Sequence, residues 1–105
     1  MNLPEWLVLW VWNALIGEIY PEIRAIALQY DADRNLLLRY YFDRIPTEDD
    51  VESISLVITT IWANTSSDAE INTIEQEAIY SRELQGDLDV LDGLVYARRE
   101  YSLKG

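Results

Sequence analysis

Residues Glu22 to Asp43 read EIRAIALQYDADRNLLLRYYFD, and this stretch carries the clearest structural pattern in the chain. Side chains alternate in two segments, Glu22 to Tyr30 and Leu36 to Asp43, and a period of two is typical of β-strands. One face of these strands would carry Ile26, Leu28, Tyr30, Leu36, Leu38, Tyr40 and Phe42. The opposite face would carry Ala25, Ala27, Gln29, Leu37, Arg39, Tyr41 and Asp43. The stretch therefore predicts a β-hairpin that turns at Asp31-Ala-Asp-Arg-Asn35.

Helices are predicted on both sides of this hairpin. Pro4 suits the first turn of a helix that we expect to cover Leu3 to Tyr20. Thr47-Glu-Asp-Asp50 predicts the start of a second helix, because a Thr hydroxyl caps free N–H groups and carboxylates favour the positive end of the dipole. We expect this helix to end near Asn64. Its predicted inward side consists of Val51, Ile54, Ile58, Ile61 and Trp62.

Two further segments complete the predicted fold. Residues 68–81 tolerate a helix, but the alternation of Ile74, Ala78 and Tyr80 favours a strand over Ile71 to Ser81. A last strand is predicted over Val90 to Tyr101, with a bulge at Gly93. The order α-β-β-α-β-β predicts an α+β fold with two helices and an antiparallel sheet of about four strands. We expect residues 1–105 to form a single domain.

The N-terminal helix is apolar on every side between Trp6 and Trp12. About 20 apolar residues are needed to span a bilayer, so this run is too short for a membrane segment. One interpretation makes it the central helix of a small core. The alternative is that Trp6, Trp10 and Trp12 pack against a second copy in a homodimer.

Acidic residues are concentrated in one half of the chain. Asp43 to Asp92 contains 13 acidic and two basic residues, whereas the remainder contains six of each, so the net charge of −11 belongs to this half. Such a charge repels phosphate backbones and anionic lipids, which argues against direct binding of nucleic acid or membranes, and it attracts basic proteins. The alternative is that the acidity only maintains solubility.

The composition excludes most catalytic chemistry. The chain contains no His and no Cys, so the common nucleophile–base pairs and zinc sites are missing, and nothing indicates an oxidising compartment. We expect a cytoplasmic protein that is not an enzyme and has no metal or cofactor. Asp31-x-Asp-x-Asn35 resembles the start of a calcium loop but lacks the required Gly and Glu. A minor alternative is an Mg²⁺ enzyme using carboxylates among Asp43, Asp49, Asp50, Glu75, Glu77, Asp87, Asp89 and Asp92.

The acidic half predicts a surface for binding a basic protein. Charge pairs accelerate encounter, and a few aromatic contacts hold the complex. A nuclease has a basic surface because its substrate is a polyanion, so it is the kind of partner we expect. The candidate partner-binding residues are Asp43, Glu48, Asp49, Asp50, Glu75, Glu77, Asp87 and Asp89, with Tyr41 and Tyr80 as anchors.

Four runs resemble a known family: GEIYPEIRAIALQYD at residues 17–31, LRYYFDR at 38–44, PTEDD at 46–50 and LDGLVYARREY at 91–101. They are similar to small bacterial immunity proteins of contact-dependent growth inhibition and related polymorphic toxin systems. The resemblance implies a protein that binds and neutralises the cognate C-terminal toxin domain, without a catalytic motif. Our first hypothesis is therefore an immunity protein that inhibits a nuclease toxin. The alternative is a homo-oligomeric acidic scaffold or adaptor.

Overall fold

The computed structural model describes residues 3–65 and 70–100. Its elements, in chain order, are α1 (Glu5–Leu15), β1 (Ile23–Tyr30), β2 (Asn35–Phe42), α2 (Glu48–Asn64), β3 (Thr73–Tyr80) and β4 (Gly93–Ala97). A single 3₁₀ turn at Gln85–Asp87 lies between β3 and β4. The predicted element order and the α+β class are confirmed. Residues 73–80 form a strand, as the alternation predicted.

The sheet is mixed, which corrects the prediction of a purely antiparallel sheet. The strand order is β3-β2-β1-β4, and β1 pairs antiparallel with both β2 and β4. β2 and β3, however, are parallel. The reason is that α2 carries the chain back along the sheet, so that β3 begins at the same end as β2.

The predicted hairpin is confirmed, and its turn lies in the predicted segment. Ile26 lies opposite Tyr40, and Leu28 lies opposite Leu38. The Asp31 carboxylate accepts hydrogen bonds from the backbone N–H groups of Asp33 at 2.9 Å and Asn35 at 3.0 Å. The spacing of polar residues in this segment therefore serves to close a β-turn.

One face of the sheet packs against both helices and forms the main core. Its strand residues include Ile26, Leu28, Leu36, Leu38, Tyr40 and Phe42, all nearly inaccessible to solvent. These are the residues that the alternation placed on one face. The helices contribute Leu7, Val11, Ile54, Val57 and Ile61.

The ends of α1 and the inward side of α2 differ from the prediction. α1 ends at Leu15, and Gly17 then adopts a positive φ of 80°, which turns the chain before Tyr20. In α2, Ile54 and Ile61 are buried as predicted, but Val51 is 42% and Trp62 37% exposed. Val51 lies about 100° around the helix from the buried residue Asp50, and Trp62 lies about 100° from the buried residue Ile61.

Strand β4 is shorter than predicted and begins at Gly93. Its bulge lies at Val95, because Ile26 pairs with Tyr96 while Ala27 pairs with Leu94. The predicted end of this strand at Tyr101 lies outside the described residues.

The tryptophans of α1 have different environments. Trp6 and Trp10 are partly buried and make an edge-to-face contact with their centroids 4.8 Å apart. Trp12 is 49% exposed, but its indole Nε1 donates a hydrogen bond to the Val95 carbonyl at 2.9 Å. α1 therefore belongs to the core of this chain. Within the described ranges, neither helix is long and apolar enough to cross a membrane.

The two sides of α2 give a direct test of this packing. Ile54→Ala should lower the free energy of unfolding by about 2–5 kcal/mol, because it leaves a cavity in the core. Leu56→Ala is the matched control, since Leu56 is 61% exposed, and its effect should stay within about 0.5 kcal/mol. Urea unfolding of both variants measures the difference. Equal losses would contradict the assigned orientation of α2.

Candidate protein-binding surface

The opposite face of the sheet is not covered by α1 or α2. On part of it, the connection between β3 and β4 packs Leu88 against Ala25, Ala27 and Tyr41 in a small second core. The remainder consists of Leu37 and Arg39 on β2 and Thr73, Glu75 and Glu77 on β3, and we call it the open face. In the parallel register, Glu75 lies opposite Leu37, and Glu77 lies opposite Arg39.

Arg39 organises the acidic residues around the open face. One of its guanidinium nitrogens lies 3.1 Å from a Glu77 carboxylate oxygen, and the other lies 3.7 Å from an Asp89 carboxylate oxygen. Hydrogen bonds to Tyr41 and Glu77 raise the pKa of Arg39. Glu75 adds a third carboxylate on this side of the sheet, opposite Leu37, so the surface keeps an excess of negative charge over the single guanidinium of Arg39.

Tyr41 is part of this arrangement but does not project from it. Its side chain is only 4% exposed, and its hydroxyl donates a hydrogen bond to the Asp89 backbone carbonyl at 2.7 Å. Tyr41 therefore holds the β3–β4 connection against the sheet. A depression of about 380 Å³ adjoins the open face near the hairpin turn. It is lined by Gln29, Asp31, Asn35, Leu36, Leu37, Thr73 and Glu75.

Four of the predicted acids, Asp43, Glu48, Asp49 and Asp50, lie at the end of the sheet where β2 ends. Asp43 is six residues beyond Leu37 in the chain, and six residues of a strand span about 20 Å. Its carboxylate pairs with Arg98 at 2.7 Å. Glu48 and Asp49 are exposed in the first turn of α2. The ten predicted residues are therefore spread over two areas.

Asp50 is buried, unlike the other predicted acids. It accepts hydrogen bonds from the Tyr20 hydroxyl at 2.6 Å and from the Thr47 N–H at 2.7 Å. Arg44 pairs with the same carboxylate at 2.5 Å. The hydrogen bond from Arg44 holds the pKa of Asp50 well below its usual range, while burial raises the pKa of Tyr20. Asp50 thus completes a capping box with Thr47 and anchors α2 internally.

The remaining candidates are exposed. Tyr80 is 42% exposed at the end of β3, and Asp87 lies on the 3₁₀ turn. Sequence reasoning missed two apolar side chains beside the loop acids, namely Leu84 and Val90, which are 67% and 45% exposed. Leu84 lies in the connection between two predicted strands, and Val90 was predicted as the first residue of the last strand, so neither was considered as part of the interface.

Sequence reasoning also missed the role of the basic residues. Arg24 is buried and binds both carboxylate oxygens of Glu100 at 2.8 Å, which ties the C-terminal segment to β1. Arg98 bridges Glu100 and Asp43. In the described part of the chain, no group of three or more acidic side chains is arranged to hold a metal ion.

Comparison with known proteins identifies one family. The model of the MafI2 immunity protein family matches residues 4–100, which includes both helices and all four strands. None of the curated proteins matches the chain significantly. The matched range contains the open face and the start of α2.

The distinction between Asp50 and its exposed neighbour can be tested by substitution. Asp50→Asn should lower the free energy of unfolding at pH 7 by about 2–4 kcal/mol, because it removes the charge that Arg44, Tyr20 and Thr47 contact. Asp49→Asn, at an exposed position, should change it by less than about 0.5 kcal/mol.

The pH dependence of stability gives a second readout of Asp50. A depressed folded-state pKa stabilises the fold above the unfolded pKa of about 3.9, and this contribution disappears as the pH falls through the folded value. The stability of the wild-type protein should therefore decrease as the pH falls below about 5, and Asp50→Asn should make this decrease smaller. Urea unfolding between pH 7 and pH 2 measures the decrease. Identical pH profiles for wild type and Asp50→Asn would contradict the assignment.

Proposed function

Because this chain belongs to the MafI2 immunity protein family, a family of toxin-neutralising proteins, we propose that it inhibits the nuclease toxin domain of a contact-dependent growth inhibition effector. It acts in the cytoplasm as a binding protein, without a cofactor and without catalysis. Its partner is the C-terminal toxin domain, which presents a basic surface because its substrate is a nucleic acid.

The observation that carries this proposal is the acidic open face. Glu77 and Asp89 pair with Arg39, and Glu75 lies opposite Leu37 on the same side of the sheet, which neither α1 nor α2 covers. The ion pair with Arg39 restrains the Glu77 side chain before any partner arrives, which lowers the entropy lost on binding. The surplus negative charge, within a chain of net charge −11, attracts a basic partner and accelerates encounter.

The centre of the proposed interface contains fewer acidic residues than the set predicted from the sequence. The interface is centred on Glu75, Glu77, Asp87 and Asp89, with the exposed apolar residues Leu84 and Val90 as anchors. Burial of exposed apolar side chains on association favours complex formation. The proposal assigns Glu48, Asp49 and Tyr80 to a secondary contact at the edge of the interface. The Asp43 carboxylate is already in an ion pair with Arg98. Asp50 and Tyr41 are omitted because their side chains are buried.

A charge-neutralising variant of the open face tests this function. Glu75→Gln/Glu77→Gln/Asp89→Asn should weaken binding of the toxin domain encoded immediately upstream of the gene for this chain by about 100-fold or more, because close charge pairs at interfaces contribute about 1 kcal/mol or more each. Calorimetric titration at low and high salt measures the affinity. Wild-type affinity should fall as salt rises, and the variant should be less sensitive to salt.

The matched control removes the same number of charges at the start of α2. Glu48→Gln/Asp49→Asn/Glu52→Gln should weaken binding by much less than the open-face variant, and the melting temperatures of both variants should be recorded to exclude unfolding. Equal weakening by the two variants would contradict the central role of the open face. A wild-type protein that does not bind the toxin domain would contradict the proposed function.

A second candidate function, a homo-oligomeric scaffold, is favoured by the outer side of α1. Leu9, Trp12 and Ile16 are 54%, 49% and 77% exposed, and a depression of about 380 Å³ lies between Leu3, Val8 and Trp12. In this case the mass measured by sedimentation would rise with protein concentration, and Leu9→Lys would abolish the rise. We expect a constant monomer mass instead. Trp6 and Trp10 contribute less to such a surface because they pack inward.

A further inference from the structure

We propose that the outer edge of β3 is the docking site for an extended basic segment of the toxin domain, which joins the sheet as a fifth strand. This inference rests on the proposed function and specifies how the partner binds. Strand addition of this kind draws its affinity from main-chain hydrogen bonds and its specificity from side chains at alternate positions.

The two edges of the sheet are unequally protected. β4, at one edge, has only five residues and is interrupted by the bulge at Val95. The Val95 carbonyl already accepts a hydrogen bond from the Trp12 indole. Short length, bulges and covering groups all prevent an edge strand from pairing with another chain. β4 is therefore a poor site for strand addition.

β3, at the other edge, lacks these protections. It is eight residues long, and its sequence TIEQEAIY contains no Pro, Gly or Lys. Its backbone pairs with β2 from Thr73 to Tyr80 in an unbroken register. None of the strands in the described ranges pairs with its outer side. A long, regular, unpaired edge is a template for another strand.

The direction of the backbone groups can be deduced from the hydrogen bond that follows the strand. The Ser81 N–H donates to the Phe42 carbonyl at 3.2 Å and therefore points toward β2. Since N–H groups alternate in direction along a strand, the N–H groups of Gln76 and Ala78 point away from β2. These positions therefore direct backbone donors toward an incoming strand.

The charge beside this edge indicates the chemistry of the occupant. Glu75 and Glu77 lie two residues apart on the open face, about 7 Å along the strand. A partner strand with Lys or Arg at alternate positions would place a cation beside each carboxylate. A second copy of this chain is disfavoured, because antiparallel pairing of two β3 strands would bring like charges together.

A proline substitution at Gln76 tests the edge directly. Gln76→Pro removes an outward N–H and obstructs strand addition, while the hydrogen bonds to β2 remain, as is typical of proline in edge strands. Gln76→Ala is the matched control, because it loses the side chain and its 3.3 Å contact with the Ser55 hydroxyl but retains the N–H. Melting temperature and calorimetric affinity for the upstream toxin domain are measured for both.

The inference predicts that Gln76→Pro keeps a melting temperature close to that of Gln76→Ala but binds the toxin domain at least about 100-fold more weakly than Gln76→Ala does. Near-equal affinities of two folded variants would overturn strand addition and leave the proposed function intact. Absence of toxin binding by the wild-type protein would instead overturn both. If Gln76→Pro fails to fold, hydrogen exchange of the wild-type complex decides: slowed exchange at the Gln76 and Ala78 amides supports the inference, and unchanged exchange overturns it.

Discussion

The packing of both helices on one face of the sheet is the constraint on which the rest of the structure depends. The large side chains of β1 and β2 point toward α1 and α2, so the main core forms on that side alone. On the other side, β1 presents the small residues Ala25 and Ala27, which leave room for Leu88 from the β3–β4 connection. The described residues fill only part of that side, and Thr73, Glu75 and Glu77 of β3 remain accessible there.

An arginine in the middle of a sheet requires neutralisation, and this requirement shapes the acidic surface. Arg39 is largely covered, and a covered charge is stable only when it is paired and hydrogen-bonded. Glu77 comes from the neighbouring parallel strand and Asp89 from the connection above it. Because Arg39 requires counter-charges, it pairs with two acidic residues that are distant from each other in sequence. Glu75 adds a charge that Arg39 does not balance, and this surplus is available to a partner.

The parallel direction of β3 is what places Glu75 and Glu77 beside Leu37 and Arg39. An antiparallel β3 in the same position would reverse this order along the strand. Alternation revealed the faces of β1, β2 and β3 because each strand is covered differently on its two sides. It could not reveal direction, because parallel and antiparallel strands have the same period. The direction of β3 follows from α2, which returns the chain to the end of the sheet where β2 begins.

Sequence reasoning located the acidic segment but could not separate its surface residues from its internal ones. Thr47 and Asp50 have capping-box spacing, so a local role was readable. The burial of Asp50 depends on Tyr20, which is distant in sequence. Tyr41 was predicted as an aromatic anchor beside the acidic residues, yet the β3–β4 connection covers it. In both cases the deciding contact comes from a remote segment, whose position follows from tertiary packing.

The central claim is that the side of the sheet without helices is the toxin-binding surface. Backbone amide NMR spectra of the isotopically labelled protein, recorded during titration with the upstream toxin domain, test it most directly. The account predicts the largest chemical-shift changes in β3 and in residues 84–91, with little change along the outer side of α1. Changes concentrated at Leu9, Trp12 and Ile16, with β3 unaffected, would contradict it.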